Sequence, residues 1–362
     1  MPRFGRSELS LLCLFAASGC GSEAIEREDD GAAGSGSGVT SSGSGGGPAS
    51  SAGGGGGMPS GGASGAASGG SGGAVACTAE QCLFEWPLDG SAAHDWIIAN
   101  YVDRTPGTGI LDYHGGTRSY EGHQGVDIAI ASFRLMDQGV VARAVAPGLV
   151  TAIHDGEPDR NTVADPGNCS LVANSVVVQH PDGLEARYLH FRNASIAVTV
   201  GQEIMAGDEL GLVGSSGCSE SPHLHFELRD PQNGDAVLDP FFEGRWATPP
   251  AYDVAPGVME VVFKSGGFST TSDVQNAPTN PTSLPSGMVG LSVITGGTLL
   301  GETLQVLLYQ GDVLENTLSP YQYDGSEDHY MRWWNPSLSA GNWRADVSLG
   351  NQVVDTVSFQ VN

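Results

Sequence analysis

The sequence has little positive charge. Its 362 residues contain 15 Lys and Arg against 41 Asp and Glu, which gives a formal net charge of −26. A surface of this sign repels phosphate backbones and anionic lipid headgroups. The composition therefore argues against nucleic acid as a partner and against membrane docking through basic residues.

Long hydrophobic runs are also missing. The uncharged apolar run at residues 9–19 is far shorter than the roughly 20 residues that span a bilayer, and no other stretch comes near that length. Because Arg3 and Arg6 precede the run, it matches the core of an export signal. It runs into the motif ASGC, which ends at Cys20, resembles a bacterial lipobox, and implies cleavage before Cys20 and acylation of that residue. An ordinary secretory signal with a chance cysteine is the alternative.

Bulky apolar residues are nearly absent from residues 31–76, which consist almost entirely of Gly, Ala and Ser. Such a composition has too little to bury for a folded core. We therefore predict a signal peptide over residues 1–19, followed by a lipidated cysteine and a disordered linker over residues 20–76. Because Gly21 rather than aspartate follows Cys20, the lipobox resemblance implies an outer-membrane lipoprotein that faces the periplasm.

Cysteine is scarce, and two of the six residues fall in the export segment. The other four, Cys77, Cys82, Cys169 and Cys218, allow three disulfide pairings. We favour Cys77 with Cys82 and Cys169 with Cys218, because an exported chain meets an oxidising compartment and the first pair is close in sequence. A four-cysteine zinc site is the competing interpretation, but the spacings do not form two CxxC-like hooks.

Helical periodicity is weak in the rest of the chain. Short runs rich in β-branched and aromatic residues, separated by Gly-rich turns, predict a mainly antiparallel β domain over residues 77–248. The strand candidates are 140–145, 149–153, 176–180, 184–191, 198–201 and 210–214, with turn residues at 181–183 and a short helix within 92–102.

A Pro-rich break after residue 248 predicts a second domain over residues 249–362. Its strand spacing favours an accessory Ig-like β-sandwich, with candidates at 258–263, 290–294, 303–309, 329–334, 343–349 and 353–361. With His329 as its one histidine and no cysteine, this half lacks the means for a metal site. Trp333 and Trp334 must face opposite sides of a strand, and we expect the second ring under a loop rather than on a ligand platform.

Two histidine motifs contain the candidate metal-binding residues. HQGVD places His123 and Asp127 four residues apart, and HLHFE places His223 and His225 on one face of a strand. Imidazoles from both motifs plus a carboxylate give three ligands, and catalytic zinc sites keep a fourth position for water. Alternate histidines on a strand that are merely solvated or hydrogen-bonded form the simpler interpretation.

In this order the motifs resemble those of the lysostaphin-like zinc endopeptidases, also called LytM domains. HxxxD stands at 123–127, YLH at 188–190, and a Gly/Ser loop at 214–217 leads to HxH at 223–225. The resemblance covers about residues 83–229. It implies a LytM-type antiparallel β-sheet fold, the duplicated hybrid motif.

The resemblance also implies roles for five residues. His123, Asp127 and His225 would hold one Zn²⁺ per chain, while His190 and His223 would stay unligated and act in catalysis. Since the sequence has no HExxH glutamate, another group must move the proton, and these two imidazoles suit that task.

Glu227 shares a strand face with the HxH histidines. It is either a hydrogen-bond acceptor that orients a ligand imidazole or an ordinary surface carboxylate. Residues 155–170 are interpreted as an insertion between strands, and residues 83–121 precede the first ligand and are candidates to cover the cleft.

These features favour a zinc metalloendopeptidase that cleaves peptides of peptidoglycan stems or cross-links and is anchored in the lipid bilayer through acylated Cys20. The alternative from another class is a non-catalytic LytM protein that binds the wall or activates amidases, although such chains lack one or more of the five positions. A protease that acts on a secreted protein is a third hypothesis. The sequence specifies no oligomeric state.

Overall fold

The computed structural model describes residues 77–160, 171–297, 301–323 and 329–362. In the first half of this described part, alternating apolar residues form short strands and one short α-helix, α1. The strands are β1 Ile97–Asn100, β2 Val126–Ala129, β3 Val141–Arg143, β4 Gly148–His154, β5 Ser175–Gln179, β6 Glu185–Leu189, β7 Glu203–Ile204, β8 Glu209–Leu212, β9 His223–Asp230 and β10 Ala236–Leu238, and α1 spans Phe133–Gln138.

One antiparallel sheet dominates this half. Its strand order is β1-β2-β9-β6-β5-β4-β7, with β10 also paired to β9, while β3 and β8 form a separate two-stranded sheet. One face of the large sheet packs into an apolar core in which Ile128, Tyr188, Leu224 and Phe226 are fully buried. Strand β9 lies between β2 and β6, so its outward row of side chains is flanked by both neighbours.

The mainly antiparallel β fold predicted from the sequence is confirmed, and most strand predictions with it. The predicted hairpin is present as β5 and β6, joined by the turn at 181–183. The helix predicted within 92–102 is wrong. Ile97 and Ile98 form β1 and pair with β2, because burial against the sheet outweighs the weak local helical preference.

The strand predicted at 198–201 is also wrong. Only Val198 of this segment is buried, and Gly201 adopts a positive φ of 85° in a turn before β7. A positive φ suits glycine and breaks the extended backbone of a strand. The β-branched residues that motivated the prediction therefore lie in a connecting turn.

The second half contains two facing sheets and one short helix. Its strands are β11 Gly257–Ser265, β12 Ser283–Leu284, β13 Gly287–Gly296, β14 Thr303–Gln310, β15 Val313–Thr317, β16 Tyr321–Gln322, β17 His329–Trp334, β18 Ser337–Leu338, β19 Gly341–Leu349 and β20 Gln352–Val361, and α2 spans Thr271–Gln275. One sheet has the order β11-β13-β17 and the other β12-β20-β19-β14-β15.

Apolar side chains from both sheets share one buried cluster, which includes Val293, Val306 and Val347. All six strands predicted in this half are present. The finer assignment of the sandwich as Ig-like stays a prediction, as do the domain boundaries.

The two halves meet through a smaller apolar cluster and a buried ion pair. Arg134 on α1 pairs with Glu260 on β11, and Ser132 donates a hydrogen bond to the same carboxylate at 2.9 Å. Trp333 packs against the small cluster between the halves, whereas Trp334 packs against the sandwich core and donates to the Ser319 carbonyl. Both rings are therefore packing elements rather than an open platform.

The predicted disulfide between Cys77 and Cys82 is present. Cys169 and Cys20 lie outside the described residues, so the second disulfide and the lipidation site stay predictions. The signal peptide and linker predicted over residues 1–76 lie outside them as well. None of the described helices has the length and apolar character needed to cross a membrane.

Candidate metal centre

Strand pairing brings the two histidine motifs together. Asp127 on β2 lies directly opposite His225 on β9. On the other side of β9, Leu189 pairs with His225, and the ring of the next residue, His190, lies 5.9 Å from the ring of His225. His123 lies in the loop that leads into β2. A pattern spread over about one hundred residues thus becomes one compact group.

Three side-chain atoms converge at the centre of this group. The distance from His123 Nε2 to Asp127 Oδ1 is 3.2 Å, from His123 Nε2 to His225 Nδ1 is 3.2 Å, and from His225 Nδ1 to Asp127 Oδ1 is 2.8 Å. Zinc with bonds of about 2.0–2.1 Å holds tetrahedral ligand atoms about 3.3 Å apart. The spacing and the two-nitrogen, one-oxygen chemistry of this donor set therefore fit zinc.

The backbone fixes which nitrogen of His123 faces the centre. His123 Nδ1 lies 2.8 Å from the Tyr101 carbonyl oxygen, which can only accept a hydrogen bond. Nδ1 therefore carries the proton, and Nε2 offers its lone pair to the centre. Asp127 is oriented in a similar way, since Asn100 Nδ2 donates to its other oxygen, Oδ2, at 2.8 Å.

Glu227 orients the second imidazole. Its Oε1 accepts a hydrogen bond from His225 Nε2 at 3.0 Å, so His225 Nδ1 is the nitrogen that faces Asp127. Arg229 Nε donates to the other Glu227 oxygen at 2.6 Å, and Gln124 in turn accepts from Arg229. Glu227 is buried, so the structure places it beside the ligand imidazole rather than on the surface.

The charges around the centre favour a cation. Burial alone would raise the pKa of Asp127, but the His123 and His223 imidazoles hold the pKa of this carboxyl well below its usual range. Burial would lower the pKa of His225, yet hydrogen bonds to Asp127 and Glu227 raise that pKa to about 10. The two carboxylates therefore stabilise positive charge at the point where the donor atoms meet.

His190 and His223 form a pair beside this centre. Their ring centroids are 4.5 Å apart, and His223 Nε2 lies 3.6 Å from Asp127 Oδ1. The Nδ1 atoms lie 2.7 Å and 2.9 Å from the carbonyl oxygens of Ser216 and Ser221. Since carbonyls only accept, both Nδ1 atoms are protonated, and both Nε2 atoms are available to accept a proton.

Burial decides the pKa of this pair, whereas hydrogen bonds to carboxylates outweigh burial at His225. Burial lowers the pKa of His190 and, to a smaller extent, that of His223. His190 also has a φ of 66°, a left-handed conformation that is uncommon for residues other than glycine. A buried side chain in such a conformation requires support from its surroundings.

A glycine allows the close approach of His225 to the loop before β2. A Cβ atom at Gly125 would lie 2.5 Å from His225 Nε2 and 2.7 Å from the Phe226 carbonyl oxygen. No side chain fits there unless the imidazole moves. The glycine in HQGVD is thus part of the geometry of the site.

Sequence reasoning missed the groups that orient Asp127 and three of the site histidines: the Asn100 amide and the carbonyls of Tyr101, Ser216 and Ser221. No sequence signal identifies a backbone carbonyl as a partner, and Asn100 lies far from either motif. Asn100 and Tyr101 belong to the segment 83–121, which therefore contributes supports for the ligands.

The remaining described histidines lie away from the site. His94 and His114 are exposed, His154 pairs with Glu157 at 3.0 Å, and His180 is buried with Nδ1 on the Pro147 carbonyl. Their interpretation as structural or solvated residues agrees with these positions. The side chain of His329 lies outside the described part.

Comparison with known proteins gives this site a family. Residues 121–240 match the family model of Peptidase family M23. This part of the chain is an M23 peptidase domain. The resemblance to lysostaphin-like enzymes is thereby confirmed, and the M23 domain includes all five residues that the motifs singled out.

The relatives share the M23 domain over short segments. The DD-carboxypeptidase/endopeptidase Mpg of Neisseria meningitidis is 32% identical over 107 residues, which cover 30% of this chain and 20% of the relative. The peptidoglycan DD-endopeptidase ShyA of Vibrio cholerae is 41% identical over 61 residues, 17% of this chain and 14% of the relative. The chain thus spans about a fifth or less of the length of these relatives.

Among solved structures, the chain is similar to a catalytic-domain variant of the prophage-encoded M23 protein EnpA from Enterococcus faecalis. The identity is 26%, the similarity covers 43% of this chain and 94% of that one, and the TM-score is 0.29.

Proposed function

We propose that the protein is a zinc metalloendopeptidase that hydrolyses peptide bonds in peptidoglycan stems or cross-links, with one Zn²⁺ per chain. The observation that carries this proposal is the convergence of His123 Nε2, Asp127 Oδ1 and His225 Nδ1 within 3.2 Å of one another. Three such donors suit zinc and leave one of its four positions for water. The similarity to the peptidoglycan DD-endopeptidase ShyA supports peptidoglycan as the substrate.

Zinc held by these three residues would act as a Lewis acid toward the scissile carbonyl and lower the pKa of water at the site. His190 and His223 supply the proton transfers. Because Ser216 and Ser221 occupy their Nδ1–H groups, each Nε2 can accept a proton from the attacking water. Once protonated, the same nitrogen can donate to the developing oxyanion or pass the proton to the leaving amine.

We further propose that the chain is exported and anchored in the outer membrane through acylated Cys20, facing the periplasm. The supports are Arg3 and Arg6 before the apolar run 9–19, and the lipobox-like end of that run. In the envelope of a two-membrane bacterium, D-Ala to diaminopimelate cross-links would be the accessible substrate.

Digestion of purified sacculi tests the activity and identifies the bond. We expect the wild type to release new muropeptides and His190→Ala to release almost none. His114→Ala should match the wild type, because this exposed ring contacts Tyr113 and Tyr252 and none of the five site residues in the described contacts. Identical muropeptide profiles from wild type and His190→Ala would refute wall hydrolysis.

Metal analysis separates the proposal from the non-catalytic alternative. The wild type should bind one equivalent of zinc and His225→Ala should bind much less. A folded wild type without stoichiometric zinc would instead favour a wall-binding or amidase-activating LytM protein.

A further inference from the structure

We propose that Asn174 is a positioning residue that fixes the orientation of His190 for proton transfer. This inference rests on the proposed function. His190 follows the last residue of β6 and has a φ of 66°, so its direction is set by what holds the backbone on either side of it. The side chains of Asn174 and Ser216 both reach this backbone from distant segments, and Asn174 holds the two segments together.

The Asn174 amide uses all its hydrogen-bonding groups within the protein interior. Its Oδ1 accepts from the Glu157 backbone N–H at 2.8 Å, and its Nδ2 donates to the Glu157 and Phe191 carbonyls at 3.0 Å each. Asn174 itself is fully buried. Both amide protons are therefore committed, and one of them holds the residue that follows His190.

The backbone of Asn174 also forms hydrogen bonds with Phe191 and Ser216. Its carbonyl oxygen accepts from the Phe191 N–H at 3.1 Å, and its N–H donates to Ser216 Oγ at 3.0 Å. Ser216 Oγ donates in turn to the Phe191 carbonyl at 2.8 Å. Phe191 is thus held at both its N–H and its C=O groups.

The same network reaches the imidazole of His190. The Ser216 carbonyl accepts the His190 Nδ1–H at 2.7 Å, so the residue that orients the ring is the one whose hydroxyl Asn174 holds. Asn174 therefore links the backbone after His190 to the acceptor of its side chain. A buried, fully satisfied network of this kind favours one conformation strongly.

The zinc ligands have separate supports. Asn100, Tyr101 and Glu227 orient the three donor residues, and none of them contacts Asn174 in the described hydrogen bonds. Loss of the Asn174 amide should consequently disturb His190 and leave the metal donors in place. This difference distinguishes positioning from a general effect on folding.

The test compares Asn174→Ala and Asn174→Asp with Asn280→Ala in the full chain. Asn280 makes a similar bridge in the second half, where its amide accepts from the Phe263 N–H and donates to the Val261 carbonyl, and it therefore serves as the matched control. Asn174→Asp keeps the acceptor but loses both donors. If Asn174→Ala does not fold, Asn174→Asp alone provides the test.

We expect both Asn174 variants to lower kcat by about 10- to 100-fold with a change in KM and in zinc affinity of less than about threefold. The pH profile of kcat should shift in these variants and not in Asn280→Ala. Unchanged kcat in a folded Asn174→Ala protein, or loss of activity in proportion to loss of zinc, would overturn the proposal.

A spectroscopic readout keeps this test independent of the proposed activity. In the zinc-loaded wild type, the His190 Nδ1 proton should give a slowly exchanging, downfield NMR signal because it is buried and hydrogen-bonded to Ser216. Asn174→Ala should lose that signal and Asn280→Ala should keep it. If the wild type cleaves no peptide, the signal still decides the role of Asn174.

Discussion

Strands β9 and β19 both alternate apolar and polar residues, but the polar residues of the two strands differ in burial. In each, every second residue is apolar and buried in a core. The intervening residues of β19, such as Arg344 and Asp346, are half-buried at the surface of the sandwich. On β9 the intervening residues His225, Glu227 and Arg229 are buried as well.

Each strand also carries an arginine and a carboxylate two residues apart. On β9 the pair Glu227–Arg229 has side-chain exposures of 10% and 9%, whereas on β19 the pair Arg344–Asp346 has 35% and 16%. An exposed pair contributes little to stability, while a buried pair is costly unless every group has a partner. On β9 both groups have partners besides each other, because Glu227 also accepts from His225 and Arg229 also donates to Gln124. The buried pair thereby orients a ligand of the proposed metal centre.

The largest expected effect comes from breaking the buried pair. Glu227→Gln removes the charge between His225 and Arg229 and leaves the guanidinium buried without its counter-ion. We expect the free energy of unfolding to fall by about 3 kcal/mol and zinc affinity to fall about 10- to 100-fold. Urea denaturation and competition with a chelator measure these changes. Wild-type zinc affinity in this variant would show that Glu227 does not orient the ligand.

A smaller effect should follow from Gly125→Ala, which crowds the polar row of β9 from the neighbouring loop. The added methyl would meet His225 Nε2 and the Phe226 carbonyl, so the imidazole must shift. We expect about a tenfold loss of zinc affinity and about 1–2 kcal/mol of stability. Gly107→Ala is the control, because no atom lies within 4 Å of its added Cβ. Equal zinc affinity in the two variants would contradict the prediction.

The M23 domain should become less stable in acid because His180 is buried. Burial and the nearby Arg245 lower the pKa of His180, so the folded protein keeps this ring neutral while the unfolded chain protonates near pH 6.5. Stability is therefore highest above that pH and decreases as the pH falls toward the folded pKa. Between pH 8 and pH 5, the free energy of unfolding should decrease less in His180→Gln than in the wild type. An identical slope in both proteins would exclude His180 as a contributor.

The smallest effect should come from Asp346→Asn on β19, the half-buried counterpart of Glu227→Gln. Because Arg344 and Asp346 remain in contact with solvent, we expect a change below about 0.5 kcal/mol in the free energy of unfolding and none in zinc affinity. Chemical denaturation of the two variants side by side provides the measurement. A loss comparable to that of Glu227→Gln would mean that burial does not explain the difference between the strands.

Sequence patterns predicted much of this fold because they report local burial. Runs rich in β-branched and aromatic residues identified β5, β6, β19 and β20, and the HxH spacing placed two histidines on one strand face. The failures occurred where distant contacts decide. The segment 97–100 became a strand by pairing with β2, and the short helix α1 was not predicted because Phe133 and Met136 are buried by residues far away in the sequence.

The sequence by itself determined which residue types are present for the chemistry, since HxxxD, YLH and HxH state the identity and the order of the side chains. Only the tertiary structure decided which atoms meet. The antiparallel register of β2 and β9 sets Asp127 opposite His225. The carbonyls of Tyr101, Ser216 and Ser221 accept hydrogen bonds from three imidazoles and thereby decide which ring nitrogen of each faces the centre. The reason is physical: strand register and hydrogen bonds to carbonyls depend on segments far apart in the chain, which no local pattern encodes.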